Sequence, residues 1–339
     1  MFDIQENGAI LVGNNFVIDG HHKRLFRAVT HFHADHIGGL NKSITECTSI
    51  IASPITLESL QALGYNIPKH KQLPLDYGIK VDLLGEKIQL EKAEHIMGAS
   101  QVVVETDKDI EIAYTGDFRN PGKGTPILNP DVLIIDATYG SPIFVRKYKD
   151  DIEMLFADYI ADSLLKGPVT IYAYYGKMQE AMKILRKYKV DAPYIVEDKV
   201  EKLTKIADKY GENIGKYINK KTEEGKKIIK DGWYVEFKHA TEFKKRGKGT
   251  TNFLLDGWLI KDFIKQVDTN SYTIGFSSHG DFEDTLKYIE TSTADLIVLD
   301  GSRSKYAKEL AAYITKYLRK KVKVLPLVTS TSLSSPSDD

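Results

Sequence analysis

The chain has 339 residues, 42% of them hydrophobic and 28% charged, with a formal net charge of zero. These are the proportions of an ordinary globular protein of one large domain or two intimate ones, and they exclude a fibrous or disordered chain. The single cysteine, Cys47, excludes an intramolecular disulfide and any cysteine-based zinc site.

The neutral total hides a basic middle. Residues 145–265 carry 26 Lys and Arg against 19 Asp and Glu, a surplus that fits a phosphate-rich partner or, equally, a set of solvated helices. No run approaches the ~18 to 20 apolar residues of a membrane helix. No basic region followed by an apolar stretch opens the chain, so the expected compartment is cytoplasmic, with no membrane partner.

In chain order, residues 8–18 read as two strands around an Asn14-Asn15 turn, and Asp19-Gly20 closes a hairpin. A short strand over 25–30 leads into His31-Phe32-His33-Ala34-Asp35-His36. Residues 49–53 are a strand and 54–63 a helix ending before Gly64. Short strands are expected at 72–77, 80–84, 87–91 and 101–105. Apolar strands at 110–115 and 132–135 run into Asp117 and Asp136. Beyond Tyr148 helix and strand alternate, with helices at 150–165, 177–188, 200–210, 282–290 and 305–317. Strands fall at 169–174, 194–196, 233–237, 252–255, 271–276 and 296–299. The stretch 212–250 is rich in Lys, Glu and Gly, and a Ser-rich tail follows Thr329. The expected division is 1–148, an inserted α/β segment 149–265, a return over 266–325, and a flexible tail 326–339.

Four potential metal ligands fall within six residues at 31–36. His31 and His33, two apart on an extended turn, can converge on one ion, and Asp35 and His36 on a second. Imidazole with carboxylate suits Zn²⁺ or Mn²⁺ better than Ca²⁺ or Mg²⁺. Further ligands are sought in loops at strand ends, where a rigid sheet holds them. His95, in a loop before a strand, and Asp117, at the end of one, qualify. A hydrogen-bonded surface histidine and an Asx turn are the plain alternatives.

The ordered set His-x-His-x-Asp-His, His95 with Gly98-Ala99-Ser100, and Thr115-Gly116-Asp117 resembles the metallo-β-lactamase fold. Asp136-Ala137-Thr138-Tyr139-Gly140, Tyr175-Gly176-Lys177-Met178-Gln179-Glu180 and Gly275-Phe276-Ser277-Ser278-His279-Gly280-Asp281 resemble motifs of its β-CASP nuclease branch. The Gly-Lys-x-Gln turn and Asp256-Gly257-Trp258 look most like the DNA-ligase-associated exonucleases and DNA cross-link repair nucleases. The resemblance covers about residues 8–318. It implies an α/β protein: an αββα sandwich with an inserted β-CASP-like cap.

It also implies a metal-dependent nuclease acting on DNA or RNA, single-stranded, as a 5′-directed exonuclease using a metal-bound hydroxide. One or two Zn²⁺ ions are implied, with Mn²⁺ possible. His31, His33, His95 and Asp117 would hold the first ion, and Asp35, His36 and Asp117 the second. The RNA-processing branch has a histidine where this chain has Asp300, in Ile297-Val298-Leu299-Asp300-Gly301. Asp300 is either an oxygen ligand of the second ion, or that site is a ligand short. His279 is the expected proton donor to the leaving oxygen, with Asp136 orienting it and Asp35 in the catalytic set. Thr138, Lys177, Ser277 and Ser278 are candidates for nucleic-acid phosphates. Tyr175 is a stacking candidate, and the basic loop 244–248 either meets backbone phosphate or is solvated.

Other readings are an RNA 3′-end processing endonuclease-like protein, a small-molecule hydrolase such as a thioesterase or lactonase, and a non-catalytic nucleic-acid-binding subunit. The small-molecule reading leaves Asp136, His279 and the basic insert unexplained. The subunit reading sits poorly with five intact motifs.

Overall fold

A computed structural model describes residues 1–327; the expected tail, 326–339, lies outside these apart from Pro326 and Leu327. The chain forms two compact units. Among the described residues, the first joins Met1–Val145 to 279–327, and the second is Arg146–Ser278. The architecture is mixed α/β with three sheets among the described residues.

The first unit holds two sheets. One has six strands in chain order: Phe2–Ile4, Ala9–Val12, Phe16–Asp19, Phe26–Ala28, Ser49–Ala52 and Gln72–Pro74. The other has seven, in the order Val322–Leu325, Leu296–Asp300, Val132–Ile135, Glu111–Tyr114, Ser100–Glu105, Glu86–Lys92 and Lys80–Leu83. Alternation decides which side chains point where. Ile10, Val12, Phe16 and Ile18 of the first sheet share one core with Ile88, Leu90, Val102, Val104, Ile112, Ile134 and Val298 of the second. Each such side chain contributes about 1.5–3 kcal/mol by leaving water. Ala9, Leu11 and Val17, on the opposite face of the same strands, form a separate cluster.

Glu86 ties the two sheets at one corner. Its buried carboxylate accepts the backbone N–H groups of Asn14 (2.8 Å) and Asn15 (3.0 Å), closing the hairpin turn expected there. Gly13 makes room for it: a Cβ there would lie 2.1 Å from Glu86 Oε1, and its φ of +59° is one that glycine adopts freely.

The second unit is a seven-stranded sheet ordered Tyr217–Asn219, Tyr194–Val196, Val235–His239, Val169–Ala173, Thr251–Leu255, Ser271–Ile274, Ile264–Asp268. Every pairing is parallel except the last. Helix Ile152–Leu164 leads into the sheet, and Lys177–Lys187, Asp198–Lys209 and Glu223–Asp231 lie between successive strands, as parallel crossovers require. Because Ile264–Asp268 and Ser271–Ile274 pair within this sheet, the chain stays here past the 265/266 boundary expected from the sequence and leaves after Ser278.

Among the described residues, the elements beyond the expected set include the strand Phe2–Ile4 and the helix Leu40–Glu46, and four more. The strand Tyr217–Asn219 has three residues, too few to show a period. The helix Glu223–Asp231 buries only Gly225, but its ends carry signals: Thr222 caps the Gly225 N–H at 3.0 Å, and Gly232 closes it at φ 77°. The edge strand Ile264–Asp268 is almost wholly exposed, and Val322–Leu325 is only half-buried. No helix among the described residues is long and apolar enough to cross a membrane.

Candidate metal centre

The site gathers where strands of the first unit end. Phe16–Asp19, Phe26–Ala28 and Ser49–Ala52 are mutually parallel, as are Glu111–Tyr114, Val132–Ile135 and Leu296–Asp300. Asp19 closes the first of these, and the His31–His36 segment follows the second. Asp117, Asp136 and Asp300 stand at or just beyond the carboxyl ends of the last three, a usual place for ligand groups in α/β sheets.

Three overlapping groups result: His31, His33, His95 and Asp117; Asp35, His36 and Asp117; and Asp117, Asp136 and His279. Within each, one ligand atom per residue lies within 4.8 Å of the others. Asp117 is common to all. Its Oδ2 is 3.2 Å from His36 Nε2, 3.5 Å from His31 Nε2, and 3.6 Å from both His95 Nε2 and His279 Nε2. His95 Nε2 and His33 Nδ1 approach to 3.1 Å. His31, His33, His36, His95 and Asp117 are all buried, and Asp35 is half-buried.

A divalent cation fits these residues, and unsatisfied atoms argue for it. His31 Nε2, His36 Nε2 and Asp117 Oδ2 are buried without a hydrogen-bond partner among the described residues, a costly arrangement unless something positive sits between them. The other ring nitrogens are engaged. Thr30 Oγ1 lies 3.0 Å from His31 Nδ1, and Asp19 Oδ2 lies 2.7 Å from His36 Nδ1. Such contacts would fix the tautomer and leave Nε2 free to face a bound ion.

Burial, with imidazole neighbours, holds His31 well below its ordinary value, which keeps the ring neutral. Burial alone would lower His36 too, but the Asp117 and Asp35 carboxylates overcome it and raise that ring well above its usual range. Burial raises the Asp117 carboxyl against the pull of His36 and His279. A cation at the centre would offset these opposed demands.

His279 Nδ1 faces Asp136 Oδ2 at 3.3 Å. Next to it, Gly280 N–H donates to the Phe118 carbonyl at 2.7 Å. Asp281 caps the helix Phe282–Thr291 through Asp284 N–H at 3.2 Å. The histidine is thereby tied to the chain leaving Asp117 and to a helix start. Asp136 Oδ1 accepts from Thr138 N–H (2.8 Å) and Thr138 Oγ1 (2.7 Å). Burial opposes ionisation of Asp136, but the His279 and Thr138 hydrogen bonds hold its carboxyl below the usual range.

The remaining sequence candidates fall elsewhere. Asp300 is absent from the ligand groups found among the described residues. Its Oδ1 accepts from Ser302 N–H (2.9 Å) and Ser302 Oγ (2.5 Å), and its Oδ2 pairs with Arg303 Nη1 at 2.7 Å. The expectation of an oxygen ligand therefore meets a carboxylate already engaged. The Thr138 hydroxyl is directed at Asp136 rather than held in reserve for phosphate. Lys177, Ser277 and Ser278 lie in the second unit; Lys177 opens a helix and is buried, and Ser278 Oγ is 3.4 Å from Glu180 Oε2. In that unit Tyr175 packs against His239, the ring planes tilted by 45° with centroids 4.6 Å apart, and Arg246 of the basic loop pairs with Asp268. Asp19 and Thr30, which aim the ligand rings, are residues that sequence reasoning passed over. The sole hint was a carboxylate at a strand end.

No protein-family model matches the chain. It is 58% identical over 137 residues to an uncharacterised protein in the lig 3′ region of Acidianus ambivalens, covering 40% of this chain and 98% of that one. It is 23% identical over 310 residues to a probable DNA ligase of Opitutus terrae, covering 86% of this chain and 28% of the ligase. It is 25% identical over 272 residues to RNase aCSPSF2 of Saccharolobus solfataricus, covering 72% of this chain and 54% of that one. The chain thus spans about half or less of the latter two. Further matches carry the names RNase J-like protein and DNA cross-link repair protein. The chain belongs to the β-CASP group of metallo-β-lactamase-fold nucleases, which are hydrolases.

Proposed function

We propose that the protein is a metal-dependent 5′-directed exonuclease acting on single-stranded DNA. In this reading the first unit is the αββα sandwich of the metallo-β-lactamase fold and the second its β-CASP cap. His31, His33, His95 and Asp117 hold one Zn²⁺ or Mn²⁺, and Asp35, His36 and Asp117 a second. The observation that carries the reading is the set of three buried, unsatisfied atoms, His31 Nε2, His36 Nε2 and Asp117 Oδ2, beside the His279–Asp136 pair. DNA is favoured over RNA because two relatives are named for a ligase or its gene region. The likeness to RNase aCSPSF2 over 72% of the chain supports the runner-up, an RNA-processing endonuclease.

Divalent ions in this centre would lower the pKa of water and offset charge gathering on the phosphoryl oxygens. The chain's own groups do the rest. Asp19 and Thr30 hold the imidazoles in the ligating tautomer. Asp136 accepts the Nδ1 proton of His279 and so turns Nε2 toward the centre. From there His279 delivers a proton to the departing 3′-oxygen, leaving a 5′-phosphate on the product.

The test uses DNA and RNA oligonucleotides labelled at either end, with Mn²⁺ or Zn²⁺. Stepwise release of 5′-mononucleotides from the 5′ end of single-stranded DNA is the expected result. Internal cuts in RNA would favour the runner-up. Intact oligonucleotides alongside hydrolysed thioesters would overturn both.

A further inference from the structure

Two buried guanidinium groups hold consecutive carbonyls of the ligand pair. Arg303 Nη2 donates to the Asp35 carbonyl oxygen at 3.3 Å, and Arg27 Nη2 to the His36 carbonyl oxygen at 3.2 Å. Each arginine is anchored elsewhere. Arg27, fully buried, donates from Nη1 to Ser43 Oγ at 2.9 Å. Arg303 meets Asp300 at 2.7 Å and the Gly8 carbonyl at 2.9 Å. Gly8 is shaped to this: a Cβ there would stand 2.6 Å from Arg303 Nη2. The first strands, the helix Leu40–Glu46 and the strand Leu296–Asp300 are thus joined through two cations to one dipeptide.

We propose that Asp300 is the counter-ion of Arg303 and not a metal ligand, and that Arg303 and Arg27 are positioning residues for Asp35 and His36. An ion taken by Asp300 in place of Arg303 would break this pair. That would leave a buried guanidinium unpaired beside an incoming dication, a doubly unfavourable exchange. Kept in place, the pair neutralises itself, and Nη2 of the guanidinium is left to hold the Gly8 and Asp35 carbonyls. The second position then has three protein ligands and depends on the rigidity of their backbone.

The inference rests on the metal-centre reading and is tested by counting ions, not by cleavage. Mn²⁺ is titrated calorimetrically into metal-free parent, Asp300→Asn and Arg303→Gln, with circular dichroism to check folding. Two equivalents are expected in the parent. Asp300→Asn should still bind two equivalents, the looser one weakened no more than in Arg303→Gln. Arg303→Gln should weaken the looser equivalent by about tenfold or more and spare the tighter one, the usual scale for losing a group that orients a ligand. Loss of an equivalent in folded Asp300→Asn would make Asp300 a ligand and overturn the proposal. So would unchanged or tighter binding in Arg303→Gln, which a freed Asp300 ligand would give. Either variant decides the matter alone if the other fails to fold. A parent that takes up no Mn²⁺ would instead remove the metal centre itself.

Discussion

Replacing Asp117 by Asn is expected to empty the metal centre while leaving the fold standing. Oδ2 of this residue lies within 3.6 Å of His31, His36, His95 and His279, and it belongs to every candidate ligand group among the described residues. An amide keeps the shape and loses the charge. Losing a group that merely orients a ligand costs 10- to 100-fold in metal affinity, so losing a shared ligand should cost at least about 100-fold for both ions. Cleavage should fall below detection. The fold should not follow, because burial disfavours the Asp117 carboxylate in the metal-free protein. The metal-free melting temperature should stay within about 4 °C of the parent, the shift that about 1 kcal/mol produces. Metal content by mass spectrometry together with a melting curve checks both halves. Parental metal content in the variant would remove Asp117 from the centre.

His279→Ala has the second-largest expected effect, and of the opposite kind. If the imidazole delivers the leaving-group proton, cleavage should slow by about 10²- to 10⁴-fold while both metal equivalents remain. The measurement is single-turnover cleavage with parallel metal analysis. His279 also belongs to a possible ligand trio with Asp117 and Asp136, which gives the second readout its force. A variant that loses an ion along with its activity would make His279 a ligand rather than an acid.

The contrast between these residues and those they depend on explains what a linear reading can find. His31, His33, Asp35 and His36 lie on one turn, so their chemistry is dense in the sequence. His95 and Asp117 were accessible because each adjoins an apolar strand of recognisable pattern. Asp19, Arg27 and Arg303 were not, since each acts through a hydrogen bond to a partner that the fold brings near, and Thr30, though next to His31, shows its contact to that ring only in the structure. Thr30 N–H and His36 Nδ1 both meet the Asp19 carboxylate, 11 and 17 residues away in the chain. Asp300 illustrates a related limit. A carboxylate ending an apolar strand reads as a ligand, like Asp117. But Ser302 and Arg303, two and three residues on, engage both of its oxygens locally.

The folds of the two units were unequally legible. The apolar strands 132–135 and 194–196 match the observed bounds because both faces are buried and the apolar run is continuous. The polar helix Glu223–Asp231 and the edge strand Ile264–Asp268 bury little, so no apolar period marks them. The omission of that edge strand is what placed the second boundary too early.

The account stands on cations making this cluster reactive toward a phosphodiester, and one titration tests it most directly. Protein stripped of metal by a chelator and desalted is given Mn²⁺ in steps, and the cleavage rate of 5′-labelled single-stranded DNA is followed against bound equivalents. The predicted result is no cleavage at zero equivalents and a rate that rises as the centre fills. Full activity in metal-free protein, or a saturated centre with the DNA intact, would contradict it.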